Sequence, residues 1–306
     1  KSHEDGEIYA RIISNVRGKD LFIIQSHKAA NGYSVQDAIV EHQHLVQAAK
    51  DSDARKVTAV APYLGYSGSD RKSKGREAVG AKWVILGFEH SGADRMISVD
   101  LHSPQTTNIF RGTNSYDHLI AGPELRFALL HQLGEEALRK GAVIAPDEGA
   151  LKLNSRHSEE LGRMISAKLP QAGFMPKDRS RSDSTSITRG GKVRGVKGKT
   201  ALVFDDMIGG GGTMVSGARL LRESGAEGVI VAATHAVFSG NATEKLMDES
   251  IDHVFVTDTL PVEKAKEEMG DKLKVAPIYP VIGRAIFEIL TPGGSISKLF
   301  DDQNHF

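Results

Sequence analysis

Residues 203–214 read V-F-D-D-M-I-G-G-G-G-T-M, and their types and spacing suit one kind of chemistry. An apolar β-type run at 201–204 delivers two adjacent carboxylates, Asp205 and Asp206. Gly209, Gly210, Gly211, Gly212 and Thr213 follow, and residues 215–224 read as a helix with Leu220 and Leu221 on its apolar face. A strand, a Gly-rich turn and a helix N-terminus make an anion site, because bare backbone N–H groups meet the positive end of the helix dipole. The carboxylates would repel a phosphate but accept hydrogen bonds from sugar hydroxyls. Acid pair and cradle together therefore suit a ribose phosphate. The bland alternative is a tight turn whose glycines only permit positive φ. The acid pair ahead of the glycines weighs against it.

Other constellations are weaker alone. Asp100-Leu101-His102 follows the strand-like run R-M-I-S-V. Two residues apart on an extended end, the Asp and His would point the same way, as ligands for a divalent metal or for phosphate. Pro146-Asp147-Glu148-Gly149 places another acid just past a strand, although Pro-Asp-x-Gly is also ordinary turn chemistry. Asp70, Arg71, Lys72, Lys74 and Arg76 form a polar, basic run at 66–76. A longer Ser/Gly-rich stretch at 177–199 carries Lys177, Arg179, Arg181, Arg189, Lys192 and Arg194. Such runs are commonly solvated loops. Opposite a phosphate cradle, the second reads as a cationic lid for phosphoryl transfer, which needs positioning and positive charge more than covalent chemistry. No nucleophile motif, Walker A sequence or H-x-x-x-H pair is present.

These groups must be positioned by an alternation of strands and helices. Strands are expected at 7–13, 20–25, 56–61, 95–99, 142–145, 199–204, 228–235, 253–257 and 273–277. Helices are expected at 35–49, 80–91, 123–134, 155–169, 214–223, 241–248 and 281–290. Near-continuous apolar strands between helices indicate α/β architecture with parallel sheets covered on both faces. Ligands of such sheets bind beyond the carboxyl ends of the strands, where the singled-out residues fall.

Composition narrows the class. The 306 residues suit about two domains, with a boundary expected at 119–123. Lys+Arg and Asp+Glu both number 39, so no global field favours nucleic acid or a membrane surface. Zero cysteines exclude disulfides and thiolate metal sites and fit a reducing, cytoplasmic setting. No apolar run approaches the roughly 20 residues of a membrane span, and K-S-H-E-D-G-E has no signal-peptide hydrophobic region.

The motifs also match a known pattern in order. They are D-G-E-I-Y-A-R-I (5–12), N-V-R-G-K-D-L-F-I-I-Q-S (15–26), P-Y-L-G-Y (62–66), D-R-K-S-K-G-R (70–76), G-A-D-R-M-I-S-V-D-L-H (92–102), P-D-E-G (146–149), the loop at 205–213, T-H-A-V-F-S-G (234–240), V-T-D-T-L-P (256–261) and S-I-S-K-L-F (295–300). On these the chain resembles the ribose-phosphate diphosphokinases, or PRPP synthetases, over essentially its whole length. The resemblance implies two phosphoribosyltransferase-like domains, each a mainly parallel sheet flanked by helices. One would span 1–120, with 291–306 packing back on it. The other would span 121–290 and carry the ribose-phosphate loop. It implies Mg²⁺-dependent transfer of the diphosphoryl group of ATP to the anomeric hydroxyl of ribose 5-phosphate by a homo-oligomer, a dimer or hexamer.

By matching positions, the resemblance implies Asp205 and Asp206 as ribose-hydroxyl ligands and residues 209–213 as the 5′-phosphate cradle. It puts His102, with Asp100 beside it, at the metal and ATP phosphates, and Asp147 near ribose and metal. Asp70, Arg71, Lys72 and Arg76 would serve ATP, and Asp5 and Glu7 the adenine of a neighbouring subunit's ATP. The catalytic Lys-x-Arg matches Lys177-Asp178-Arg179 by type and Arg179-Ser180-Arg181 by spacing from Asp205; both stand. The chain departs from the pattern at Gly68-Ser69 (usually Arg-Gln), His3 (usually aromatic), Gly209-Gly210 (usually Asp-Thr) and Arg111 (usually Asp), and it opens at the pattern's second strand. Losing one charge-assisted contact costs roughly 1.5–3 kcal/mol, so altered substrate handling is expected. One alternative is the same chemistry on a 5′-extended ribose such as ADP-ribose. Another is an inactive regulatory homologue.

Overall fold

The computed structural model describes residues 4–29, 32–174 and 193–299. The chain divides into two compact units, 1–121 with 279–306, and 122–278. The helix Tyr279–Leu290 clusters with the first unit, whereas the sequence reading carried the second domain to residue 290. Its buried residues are Val281, Ile282 and Ala285.

In the first unit, β1 (Asp20–Ile24), β2 (Lys56–Ala61), β3 (Arg95–Val99) and β4 (Tyr116–Leu119) pair in that order, all parallel. Helix α1 (Val35–Asp51) starts at a reciprocal cap. Ser34 Oγ accepts the Asp37 N–H at 3.1 Å, and the Asp37 carboxylate accepts the Ser34 N–H at 2.7 Å. Ile39 and Val46 of α1 and Val84, Ile85 and Phe88 of α2 (Gly80–His90) pack with Val57, Ala59 and Met96 of the sheet. The strand expected at 7–13 does not form, and only Ile8 makes an isolated bridge. Half-buried Ile8, Ala10 and Ile12 do alternate with exposed Tyr9, Arg11 and Ile13. Alternation marks a half-buried extended segment, but a strand also needs a hydrogen-bonded neighbour.

The second unit holds α3 (Gly122–Leu133), α4 (Glu135–Arg139), β5 (Gly141–Ala145), α5 (Leu151–Met164), β6 (Gln171–Phe174), β7 (Thr200–Met207), α6 (Gly212–Glu223), β8 (Gly228–His235), α7 (Ala242–Leu246), β9 (His253–Thr257), α8 (Glu263–Met269) and β10 (Leu273–Ala276). Its parallel sheet has the order β10-β9-β8-β7-β5-β6. All eight residues of β8 and all five of β5 are buried, as a doubly covered sheet requires. One face packs Val203, Val231 and Val254 with Met214 and Leu221 of α6, Leu246 of α7 and Met269 of α8. The other packs Leu202, Phe204, Ile230 and Phe255 with Leu125 and Leu129 of α3 and Leu161 of α5. The order puts a reversal between β5 and β7. The chain leaves β5 through α5 toward β6 on one side, and β7 through α6 toward β8 on the other. Among the described residues no helix is long and apolar enough to cross a membrane.

Candidate active site

A topological reversal parts the loops above two adjacent strands and leaves a crevice at their carboxyl ends. Asp147 lies two residues beyond β5, on one lip. Asp205 and Asp206 lie on the other. They sit within β7 rather than past it, because the strand continues to Met207 while β8 offers partners as far as His235. The Asp205 carboxylate accepts the Asp206 N–H at 3.0 Å, and the Asp206 carboxylate accepts the Met207 N–H at 2.9 Å. Asp147 accepts the Ala150 N–H at 3.0 Å, which closes the turn into α5. Burial, then the Asp206 carboxylate, and more weakly that of Asp147, push the Asp205 carboxyl well above the usual carboxylate range. The lip thus concentrates negative charge. Sugar hydroxyls or a cation would relieve it.

The glycine run divides by geometry. Gly211 has φ 74°, caps α6, and would put a Cβ 3.3 Å from the Ala242 carbonyl oxygen. It is glycine for conformational reasons. A Cβ on Gly209 or Gly210 would meet nothing within 4 Å, and neither has positive φ. Carbonyls of this loop turn toward the segment after β8. Phe238 N–H donates to Ile208 O at 3.0 Å, Ser239 N–H to Gly209 O at 3.1 Å, and Lys245 Nζ to Gly210 O at 3.3 Å. No acceptor among the described residues meets the N–H groups of residues 209–213. Helix α6 has no side-chain cap and no acid in its first turn. Carbonyls turned to the protein and amides left bare are the arrangement an anion needs.

In the first unit Asp100 and His102 follow β3 (Arg95–Val99), with a turn between strand and histidine. Asp100 has φ 37°, so the chain leaves the strand there and the alternation that would align the two side chains stops. The Asp100 carboxylate accepts the Ala121 N–H at 3.1 Å, while His102 is exposed and donates its backbone N–H to Ser67 Oγ at 3.0 Å. Asp70 is half-buried, and Arg71, Lys72 and Arg76 are exposed on the loop between β2 and α2. Asp5 and Glu7 are exposed, with the Glu7 N–H donated to Asp5 Oδ1 at 3.0 Å. Lys177, Arg179 and Arg181 lie outside the described residues. No group of three or more His, Asp or Glu side chains stands ready to hold a metal among the described residues. The acid pair still fits Mg²⁺, which commonly takes one or two carboxylates and completes its shell with phosphate and water oxygens.

Residues 1–92 match the N-terminal domain of ribose phosphate pyrophosphokinase, and residues 147–301 match the phosphoribosyl synthetase-associated domain. The ribose-phosphate pyrophosphokinase of Streptomyces coelicolor is 36% identical over 300 residues, spanning 98% of this chain and 86% of that one. The chain belongs to the ribose-phosphate pyrophosphokinase family. The Bifidobacterium longum member is 35% identical over 298 residues, spanning 97% of this chain and 83% of its own. The crystal structure of phosphoribosylpyrophosphate synthetase from Mycobacterium smegmatis superposes with a TM-score of 0.80 at 32% identity, over 94% of this chain and 88% of that one. Within this family frame, sequence reasoning passed over Lys245 at the cradle. It also passed over Asn154, buried between α5 and β7. Neither lies in a motif, and only the fold brings them to the loop.

Proposed function

We propose that the protein transfers the diphosphoryl group of ATP to the anomeric hydroxyl of ribose 5-phosphate, giving PRPP and AMP. The observation that carries this reading is the strand-order reversal between β5 and β7, beside which an acid pair runs into a cradle of bare N–H groups. Asp205 and Asp206 accept the ribose hydroxyls. Residues 209–213 hold the 5′-phosphate, and Asp147 faces the ribose across the crevice. The anomeric hydroxyl oxygen attacks the β-phosphorus and gives its proton to solvent, the bond from that phosphorus to the oxygen of the α-phosphate breaks, and AMP departs. No side-chain nucleophile is needed. His102, Asp70, Arg71, Lys72 and Arg76 serve ATP, and Asp5 and Glu7 its adenine across a subunit boundary in a homo-oligomer. Asp100 shapes the turn that presents His102, through the Ala121 N–H. Lys177, Arg179 and Arg181 supply cations to the transferring phosphates. Mg²⁺, when bound, would offset the charge of the ATP phosphates, with His102, Asp100 and Asp147 as the protein groups that would hold it.

Gly209 and Gly210 favour a second reading of the acceptor. The backbone does not require glycine there, and the space beside them is open. An open cradle accommodates a 5′-phosphate that carries a further substituent, as in ADP-ribose. Incubation with Mg²⁺, ATP and either ribose tests both readings by product mass and AMP release.

A further inference from the structure

The backbone ladder between β5 and β7 stops one residue short of the acid pair. The register runs from Gly141–Thr200 to Ile144–Val203, and Phe204 has no partner on β5. At that point β5 turns to β6, where Ala145 pairs with Phe174. Phe204 still needs a peptide-like group on that side, since a buried strand N–H and C=O cannot be left bare. Asn154 supplies it. Its Oδ1 accepts the Phe204 N–H at 3.1 Å, and its Nδ2 donates to Phe204 O at 2.9 Å. Nδ2 also donates to Ala150 O at 3.0 Å. Ala150 in turn donates its N–H to Asp147 at 3.0 Å. The Asn154 side chain is fully buried. One turn on, the ring of His157 stacks on Phe204 with centroids 3.8 Å apart and planes 8° apart. Burial, with Arg126 and Arg156 nearby, keeps that imidazole neutral.

We infer that Asn154 is a positioning residue: its carboxamide replaces a strand peptide where β5 and β7 part, and so fixes Asp205 and Asp206 against Asp147. The crevice can open because the amide, and not β5, completes the ladder at Phe204. A chain of hydrogen bonds then runs from Asp147 through Ala150 and Asn154 to the residue before Asp205. This rests on the acceptor reading above. It adds the residue that sets the acceptor site's width.

The test is Asn154→Ala in the full chain, assayed with Mg²⁺, ATP and ribose 5-phosphate. KM for ribose 5-phosphate is expected to rise about tenfold, the cost of loosening two buried hydrogen bonds. KM for ATP is expected to stay within about twofold, as only the acceptor site is disturbed. Equal changes in both constants, or none, overturn the inference. A stability cycle decides it independently of turnover, and still does so if ribose 5-phosphate proves not to be the acceptor. At pH 8 the gain in melting temperature from Asp205→Asn should shrink to less than about half in the Asn154→Ala background. Additive effects would mean a merely structural asparagine. Should the alanine variant not fold, Asn154→Asp carries the test. Its neutral acid can donate to Phe204 O and its carboxylate cannot. Its KM for ribose 5-phosphate relative to the parent should therefore fall between pH 8 and pH 6, and a flat ratio overturns the proposal.

Discussion

Holding Asp205 beside Asp206 and within the field of Asp147 costs stability when no ligand is present. The Asp205 carboxyl titrates well above an unfolded aspartate, with burial as the main cause. A raised acid pKa in the native state means that stability is greatest below the unfolded value and is lost as pH rises toward the folded one. Asp205→Asn should therefore stabilise the second unit at pH 8, by about 1–3 kcal/mol once solvent screening is allowed for, and leave it unchanged near pH 3. Melting curves at the two pH values check this. An equal gain at both would mean that the carboxylates do not repel one another. The glycines support a second experiment at this scale. Gly209→Asp with Gly210→Thr should fold, because both positions are open. A carboxylate there would repel a second phosphate. The ratio of kcat/KM for ribose 5-phosphate over ADP-ribose should thus rise at least tenfold in the double variant. An unmoved ratio would reduce the glycines to a backbone variant.

At the scale of elements, strands with apolar runs were legible from pattern alone. The bounds of β2, β3, β8 and β9 coincide with the sequence reading. Segments that depend on partners were not. β4 is four residues of mixed character, and residues 7–13 alternate but form a single bridge, at Ile8, and no strand. Helix α1 hides another device that no pattern shows. Gly65 N–H donates to His27 Nδ1 at 3.2 Å, His27 Nε2 meets His42 Nδ1 at 3.1 Å, and His42 Nε2 meets Ile23 O at 3.0 Å. The chain is satisfied with both rings neutral. Burial lowers His42 to about 4, and His27 lies well below its ordinary value for the same reason. A histidine whose folded pKa is depressed contributes stability above its unfolded value near 6.5 and loses it as pH falls through the folded one. The first unit should therefore lose stability on acidification from about pH 6.5 downward through pH 4. The single tryptophan, Trp83 on α2, reports it by fluorescence. His27→Leu with His42→Leu should move the midpoint to lower pH. An unmoved midpoint would place the acid sensitivity elsewhere.

Across the whole molecule, the two-unit α/β plan and the acid–glycine loop could be read from the chain. The sequence is silent where the tertiary fold sets backbone direction. The positive φ at Asp100 and its bond from the Ala121 N–H show in no motif. Asn154 sits 51 residues before Asp205 in the chain and has no motif, so only the β5–β7 reversal reveals it. The surface carries a further expectation. Ile13, Trp83, Tyr279, Phe287 and Leu290, all in the first unit, expose large apolar side chains. Were these residues contiguous, such surface would mark an interface between subunits. Light scattering should give a mass that is a multiple of the chain, reduced by Trp83→Glu with Phe287→Glu. A monomeric parent protein would contradict the oligomer.

The central claim is that the acid pair and the N–H cradle of the second unit hold the acceptor for diphosphoryl transfer. Its most direct measurement is AMP release from ATP and Mg²⁺, with and without ribose 5-phosphate, in the parent protein and in Asp205→Asn with Asp206→Asn. The account predicts acceptor-dependent AMP, one for each ribose that gains two phosphates. It predicts loss of at least a hundredfold in kcat/KM in the double variant, whose fold persists. AMP release that ignores the acceptor, or a double variant that turns over like the parent, would contradict it.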